Sequence, residues 1–248
     1  MVINTARKQM LDSKPALGAA CGNGSPLTAQ LLALAGFDYV MIDDQHGLWD
    51  PTAIVAAFQT IQLAGSIPMA RVRKNDFATI GAMLDRGAMG IVAPLVNSVA
   101  DAEAAAYAMR YPPRGGRSFG PYGCRHYGPD YADWIDDQLF LAVQIESKEA
   151  VEHVDAIMAV DGIDGCWIGP NDLGRSMGLD LTQAADAEAH QAAIARTLEA
   201  CKAAGKVPGI AFGPTQELIE QGFLFLTPGS AEGLISEGSR QLLQTLRP

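Results

Sequence analysis

Short runs of apolar residues recur along this chain at nearly even intervals, each followed by a longer amphipathic stretch. Two of them set the pattern. Leu139–Ile145 and Ile163–Ile168 are too short for helices and are enriched in Val, Ile, Phe or Trp, so each reads as a buried strand. Between them, Lys148–Val160 has the length and pattern of a crossover helix. A strand–helix–strand unit makes its two strands parallel neighbours. Both strands then end at one edge of the same sheet, and each delivers a carboxylate there. Glu146 follows the first directly, and Asp172 follows the second after the Gly169-Pro170 turn.

The alternation extends over the rest of the chain. A helix over Ile3–Leu11 leads to a strand at Ala16–Ala20, and Ser25-Pro26 opens a helix to Ala35 in the favoured cap-then-proline order. Strand Phe37–Ile42 precedes helix Pro51–Leu63, strand Ile67–Val72 precedes helix Asp76–Leu84, and strand Met89–Pro94 precedes helix Val99–Met109. After the central unit come helix Gln183–Ala204, strand Val207–Phe212, a helix from Thr215, strand Phe223–Leu226 and a last helix over Ala231–Leu246. Tyr111–Asp130 breaks the rhythm with a long loop whose aromatic and arginine content speaks for function rather than disorder.

About eight strand–helix cycles in one chain is the arithmetic of a (β/α)8 TIM barrel. No linker or shift in composition divides the chain, so residues 1–248 read as a single domain. A doubly wound dinucleotide-binding sheet is the competing architecture. Gly18, Gly22 and Gly24 followed by Asp43 suggest its fingerprint, but Leu27 stands where the third small residue belongs.

Composition narrows the chemistry. A formal charge of -10 argues against a nucleic-acid surface, which needs clustered Lys and Arg. No run has signal-peptide character or approaches a transmembrane length, so a soluble cytoplasmic protein is expected. Cys21, Cys124, Cys166 and Cys201 form no C-x-x-C pair and read as reduced, structural thiols.

In a barrel, reactive groups belong at the C-terminal ends of the strands. Those ends read Asp43-Asp44-Gln45-His46-Gly47, Arg71-Val72-Arg73, Gln144-Ile145-Glu146 and Gly169-Pro170-Asn171-Asp172. Singly, each has a bland reading: His46 as a surface or capping residue, Arg71 as half of an ion pair, Asp172 as a helix cap. Glu146 is harder to dismiss, because a carboxylate ending an apolar strand needs a partner if buried. Convergence of a base, a cation and two acids on one rim is what the bland readings do not require. Gln144, two residues before Glu146, shares its side of the strand, the barrel interior.

Two carboxylates with water or substrate oxygens suit Mg²⁺ or Mn²⁺ rather than a structural Zn²⁺. Such an ion, chelated by a 2-oxo acid, would polarise the ketone and stabilise an enolate. The other route to a pyruvate-type nucleophile is a Schiff-base lysine, yet none of the six lysines lies inside an apolar strand, and Lys74 is the residual candidate. His126, His153 and His190 read as structural, His153 as a solvent-face partner of Glu149 four residues earlier.

Taken jointly, Ile42-Asp43-Asp44-Gln45-His46, Pro68 with Arg71, Leu84-Asp85-Arg86-Gly87-Ala88, Arg110-Tyr111-Pro112-Pro113-Arg114-Gly115, Gln144-Ile145-Glu146 and the segment Asp161–Leu173 resemble the HpcH/HpaI aldolases, metal-dependent class II pyruvate aldolases. The resemblance implies a (β/α)8 barrel in a homo-oligomer, often a hexamer, whose last helix packs on a neighbouring subunit. It implies reversible cleavage of a 4-hydroxy-2-oxo acid to an aldehyde and pyruvate, or a close analogue such as hydroxypyruvate. The cofactor would be Mg²⁺ or Mn²⁺, with Co²⁺ also admitted.

It also implies roles. His46 matches the general base, Asp85 the acid that orients it and raises its basicity, and Arg71 the arginine that stabilises the enolate. Glu146 and Asp172 match the metal ligands; Gln144, Asn171 and Asp172 line the pyruvate site. Arg125 matches the arginine that meets the far end of the aldehyde. Gln45 departs from the glutamate many members carry beside the base. Two alternatives stay open: a malyl- or citramalyl-CoA lyase, which would need Arg114, Arg117 and Arg125 for CoA phosphates, and a non-catalytic 2-oxo-acid-binding protein.

Overall fold

The connections from strand to helix are pinned by polar side chains at the helix starts. In the computed structural model, which describes residues 1–213 and 215–247, the chain runs through α1 (Thr5–Leu11), β1 (Ala16–Cys21), α2 (Pro26–Leu34), β2 (Tyr39–Asp43) and α3 (Pro51–Leu63). It continues through β3 (Ile67–Arg71), α4 (Phe77–Arg86), β4 (Gly90–Ala93), α5 (Val99–Met109), α6 (Tyr131–Trp134) and β5 (Phe140–Ile145). The second half comprises α7 (Lys148–Glu152), α8 (Val154–Met158), β6 (Gly165–Ile168), α9 (Pro170–Ser176), α10 (Ala184–Ala203), β7 (Gly209–Ala211), α11 (Thr215–Gln221), β8 (Phe225–Ser230) and α12 (Ala231–Leu246). Ser25, Asp50, Asp76, Ser147 and Ser230 each accept a backbone N–H in the first turn of the helix that follows, and Ser98 with Asp101 forms a reciprocal capping box.

All eight strands pair in parallel in sequence order, and β1 pairs with β8 to close the barrel. The expected TIM barrel is the fold. Three stretches differ from the sequence reading. The crossover helix is broken at His153 into α7 and α8, and the His153 ring nitrogen lies 3.1 Å from the Asn97 carbonyl oxygen, a partner other than the expected Glu149. Strand β8 continues through Pro228 and Gly229 because the β1–β8 register shifts between Leu17 and Ala19, an irregularity that accommodates breaker residues. The Tyr111–Asp130 loop contains a 3₁₀ helix at Tyr122–Tyr127.

The barrel interior is filled from the bottom upward. Tyr39, Phe140 and Phe225 form an aromatic plug, with ring centroids 4.8 Å apart for Tyr39–Phe225 and 5.1 Å for Phe140–Phe225. Gly18 makes room for it, since a Cβ there would lie 2.1 Å from the Tyr39 ring. Above the plug, the Tyr39 hydroxyl donates to the Leu226 carbonyl (2.7 Å), and Trp167 Nε1 donates to Thr227 Oγ1 (3.1 Å). Arg71 stands over the Trp167 ring at 5.4 Å. The packed core thus ends in a polar layer at the C-terminal ends of the strands.

On the outside, α12 buries Ala231 and leaves Leu234, Ile235, Leu242, Leu243 and Leu246 exposed. No helix among the described residues is long and apolar enough to cross a membrane.

Candidate active site

Strand register builds the first half of the site. Asp43 and Arg71 are paired positions on β2 and β3, and their side chains meet in a two-bond fork, Arg71 Nε donating to Asp43 Oδ1 (2.9 Å) and a terminal nitrogen to Oδ2 (2.5 Å). Asp43 Oδ1 also accepts from the backbone N–H of Gln45 (3.2 Å) and of His46 (3.4 Å). One carboxylate therefore aims the arginine and folds the turn that presents His46, which is exposed at the mouth. The turn is tight: a Cβ on Gly47 would lie 2.1 Å from the Asp43 carbonyl oxygen.

The second half comes from β5, β6 and the turn after β4. Glu146 is buried, yet both of its oxygens are engaged. Oε1 accepts from the Leu95 backbone N–H (2.9 Å) and Oε2 from Gln144 Nε2 (2.5 Å). Leu95 has a left-handed backbone (φ 54°), unusual for a leucine, which stations its amide there. Burial pushes the Glu146 carboxyl above its ordinary range and the charge of Asp172 adds to this, while the Leu95 N–H and Arg71 pull the other way. A cavity of about 180 Å³ opens beside it, lined by His46, Arg71, Gln144, Trp167, Asn171 and Asp172 among others.

The residues fit a hard divalent cation. Two carboxylates whose charges oppose each other gain from a shared positive charge, and the buried Oε1 of Gln144 has no hydrogen-bond partner. Gly169 has no side chain where one would intrude: a Cβ there would come 2.9 Å from Gln144 Nε2 and 3.1 Å from Glu146 Oε2. No group of three or more His, Cys, Asp or Glu suited to a metal occurs among the described residues. Oxygen donors from Gln144, solvent or substrate would have to complete the shell.

His46, Arg71, Gln144, Asn171 and Asp172 thus share one pocket, with Glu146 bonded to Gln144 behind its lining. Asp85 and Arg125 do not join them within one chain. Helix α4 runs antiparallel to the strands, so Asp85, near its end, lies at the N-terminal face of the barrel. There Asp85 accepts from Arg117 (2.9 Å). The loop bearing Arg125 packs on the same end, a Cβ on Gly123 falling 2.7 Å from the Arg86 Cα. Arg117 is buried and Arg114 pairs with Asp137, so these arginines form no open cluster for CoA phosphates.

Sequence reading places Asp43 on the rim without a role and leaves out Leu95 and Phe212. Asp43 was legible, since it stands two residues from Met41 on the inward face and opposite Arg71. Leu95 and Phe212 both have left-handed backbones (φ 54° and 55°), which no residue type announces.

Comparison with known proteins gives the family. The HpcH/HpaI aldolase/citrate lyase family model matches residues 22–233. The chain belongs to the HpcH/HpaI aldolase/citrate lyase family. A hydroxypyruvate/pyruvate aldolase of Rhizorhabdus wittichii is 36% identical over 250 aligned residues, covering 99% of each chain. A 4-hydroxy-2-oxo-heptane-1,7-dioate aldolase of Salmonella dublin is 34% identical, over 96% of this chain and 93% of its own. The crystal structure of an HpcH/HpaI aldolase/citrate lyase family protein from Burkholderia cenocepacia superposes with a TM-score of 0.89 at 29% identity, covering 99% of this chain and 100% of that one. As a member of the HpcH/HpaI family, the chain is an aldolase, a lyase of a family that depends on divalent metal.

Proposed function

We propose that this aldolase cleaves 4-hydroxy-2-oxo acids reversibly to an aldehyde and pyruvate or hydroxypyruvate. The observation that carries the reading is the convergence of His46, the Asp43–Arg71 fork, Glu146 and Asp172 around one small pocket. Glu146 and Asp172 would hold Mg²⁺, Mn²⁺ or Co²⁺, which supplies Lewis-acid polarisation of the 2-oxo group.

The chain's own residues do the rest. Gln144 and Asn171 orient the carboxylate and keto oxygens. His46, as the neutral imidazole, takes the proton from the C4 hydroxyl. The C4–O bond becomes the aldehyde carbonyl as the C3–C4 bond breaks, its electron pair passing into the enolate. Arg71, fixed by Asp43 and the Trp167 ring, faces the negative charge on the enolate oxygen. A proton returned to C3 gives pyruvate.

Asp85 and Arg125 act, in this reading, from a second copy of the chain, whose N-terminal barrel face meets the mouth of the first. The exposed apolar face of α12 would seat on a neighbouring copy, as in a hexamer. Mixing His46→Ala and Asp85→Ala subunits tests this. Activity recovered in the mixture supports shared sites, and none above either parent refutes them. The activity itself is tested by screening aldehydes against pyruvate and hydroxypyruvate with and without EDTA. Turnover that chelation leaves intact would point back to imine chemistry at Lys74.

A further inference from the structure

Helix α9 carries Asn171 and Asp172 in its first turn, yet that turn has no cap of its own. Its N-cap position is Gly169, which has no side chain to accept the open N–H groups. A side chain of α10 reaches the same turn and bonds a carbonyl there, not those N–H groups. His190 is 5% exposed, and its Nε2 lies 2.8 Å from the Pro170 carbonyl oxygen, twenty residues away in sequence. A carbonyl only accepts, so Nε2 carries the proton. The same ring rests against the next turn of α9, where a Cβ added at Gly174 would stand 3.7 Å from His190 Cδ2 and Nε2.

The rest of this face of α10 is built differently. Ala193, Ile194 and Leu198 are buried apolar residues, and the Thr197 hydroxyl is satisfied within the helix by the Ala193 carbonyl. An imidazole among them costs free energy unless its nitrogen is bonded, and an aliphatic residue would fill the space without that requirement. Resting on the reading that Asp172 is a ligand, we propose that His190 is a positioning residue. Its bond to Pro170 fixes the rotation of the α9 first turn and so the approach of Asp172 to Glu146.

The test uses the metal-free full-length protein and its Mn²⁺ complex, comparing wild type, His190→Phe and His190→Gln. Phenylalanine keeps the ring and removes the donor, whereas the glutamine amide can take the place of Nε2. Hydrogen exchange should accelerate about tenfold over residues 170–176 in His190→Phe while the barrel strands are unchanged, and Mn²⁺ affinity measured by the EPR signal of the free ion should weaken about tenfold. His190→Gln should restore both. Unchanged exchange in that segment, acceleration shared by the whole barrel, or loosening without loss of Mn²⁺ affinity would each overturn the proposal. If the wild-type protein takes up no Mn²⁺, the metal reading fails and the positioning role falls with it. The exchange data distinguish that case from a failure of the His190 argument.

Discussion

Replacing Gly169 by alanine perturbs the site through volume alone. The Gly169 backbone (φ -99°, ψ 88°) lies outside the left-handed region reserved for glycine, so the new residue meets no conformational barrier there. Its methyl group would sit 2.9 Å from Gln144 Nε2 and 3.1 Å from both Glu146 Cβ and Oε2. Comfortable contacts lie at about 3.5–4.0 Å, so the shortfall is roughly half to one ångström on both partners. Neither can swing aside cheaply, because Glu146 is held by Leu95 and Gln144, and Gln144 is buried.

Overpacking of this kind costs about 1–3 kcal/mol. If relaxation displaces Glu146, that energy appears as metal affinity weakened ~5–140-fold, at about 1.4 kcal/mol per factor of ten. Titration of the metal-free protein with Mn²⁺, read by EPR, measures it. Gly81→Ala is the control, since a Cβ there meets nothing within 4 Å, and it should leave affinity unchanged. A Gly169→Ala protein that binds Mn²⁺ as tightly as wild type would refute the assignment of Glu146 to the ion.

Other outcomes follow from the same geometry. Arg71→Lys should lower the aldol kcat at least ~10-fold in a steady-state assay, because an ammonium group cannot hold Asp43 through two parallel bonds or stack on Trp167; a kcat within a factor of two of wild type would contradict that role. Glu146 is held above its ordinary range, so the native state binds this proton more tightly than the unfolded chain does. Its contribution is then fully present below the unfolded pKa and is lost as pH rises through the folded one. Melting of the EDTA-treated protein from pH 4 to 8 should accordingly show a downward slope that Glu146→Gln flattens, and an unchanged slope in the variant would refute this. Burial pushes the Cys21 thiol up to about 12 and the Cys124 thiol to about 11, so neither should react with a disulfide reagent at pH 8 until the protein unfolds. Rapid labelling of the folded protein would contradict their burial.

The barrel was legible because its strands are apolar runs separated by capped helices, and those signals are local. So was the rim, since strand ends and parallel crossovers put Asp43, Arg71, Glu146 and Asp172 on one edge without any knowledge of contacts. That Asp85 and Arg125 lie at the opposite face from His46 is a matter of chain direction, which the resemblance in residues does not carry. The direction of α4 decides that, and a helix returning from a strand's C-terminal end always finishes at the other end of the barrel. The break at His153 and the continuation of β8 past Pro228 depend on contacts with Asn97 and with β1, which periodicity does not encode. His190 read as structural for the same reason: its partner, Pro170, is brought beside it by the packing of α10 on α9.

The central claim is that Glu146 and Asp172 hold a divalent ion beside a 2-oxo acid while His46 manages the proton. Proton NMR of pyruvate in D₂O tests it without needing to know the aldehyde. The account predicts that the Mn²⁺- or Mg²⁺-loaded enzyme exchanges the methyl protons for deuterium, that EDTA stops the exchange, and that His46→Ala slows it by ~100-fold or more. Exchange that persists undiminished in EDTA, or in the His46→Ala protein, would contradict it.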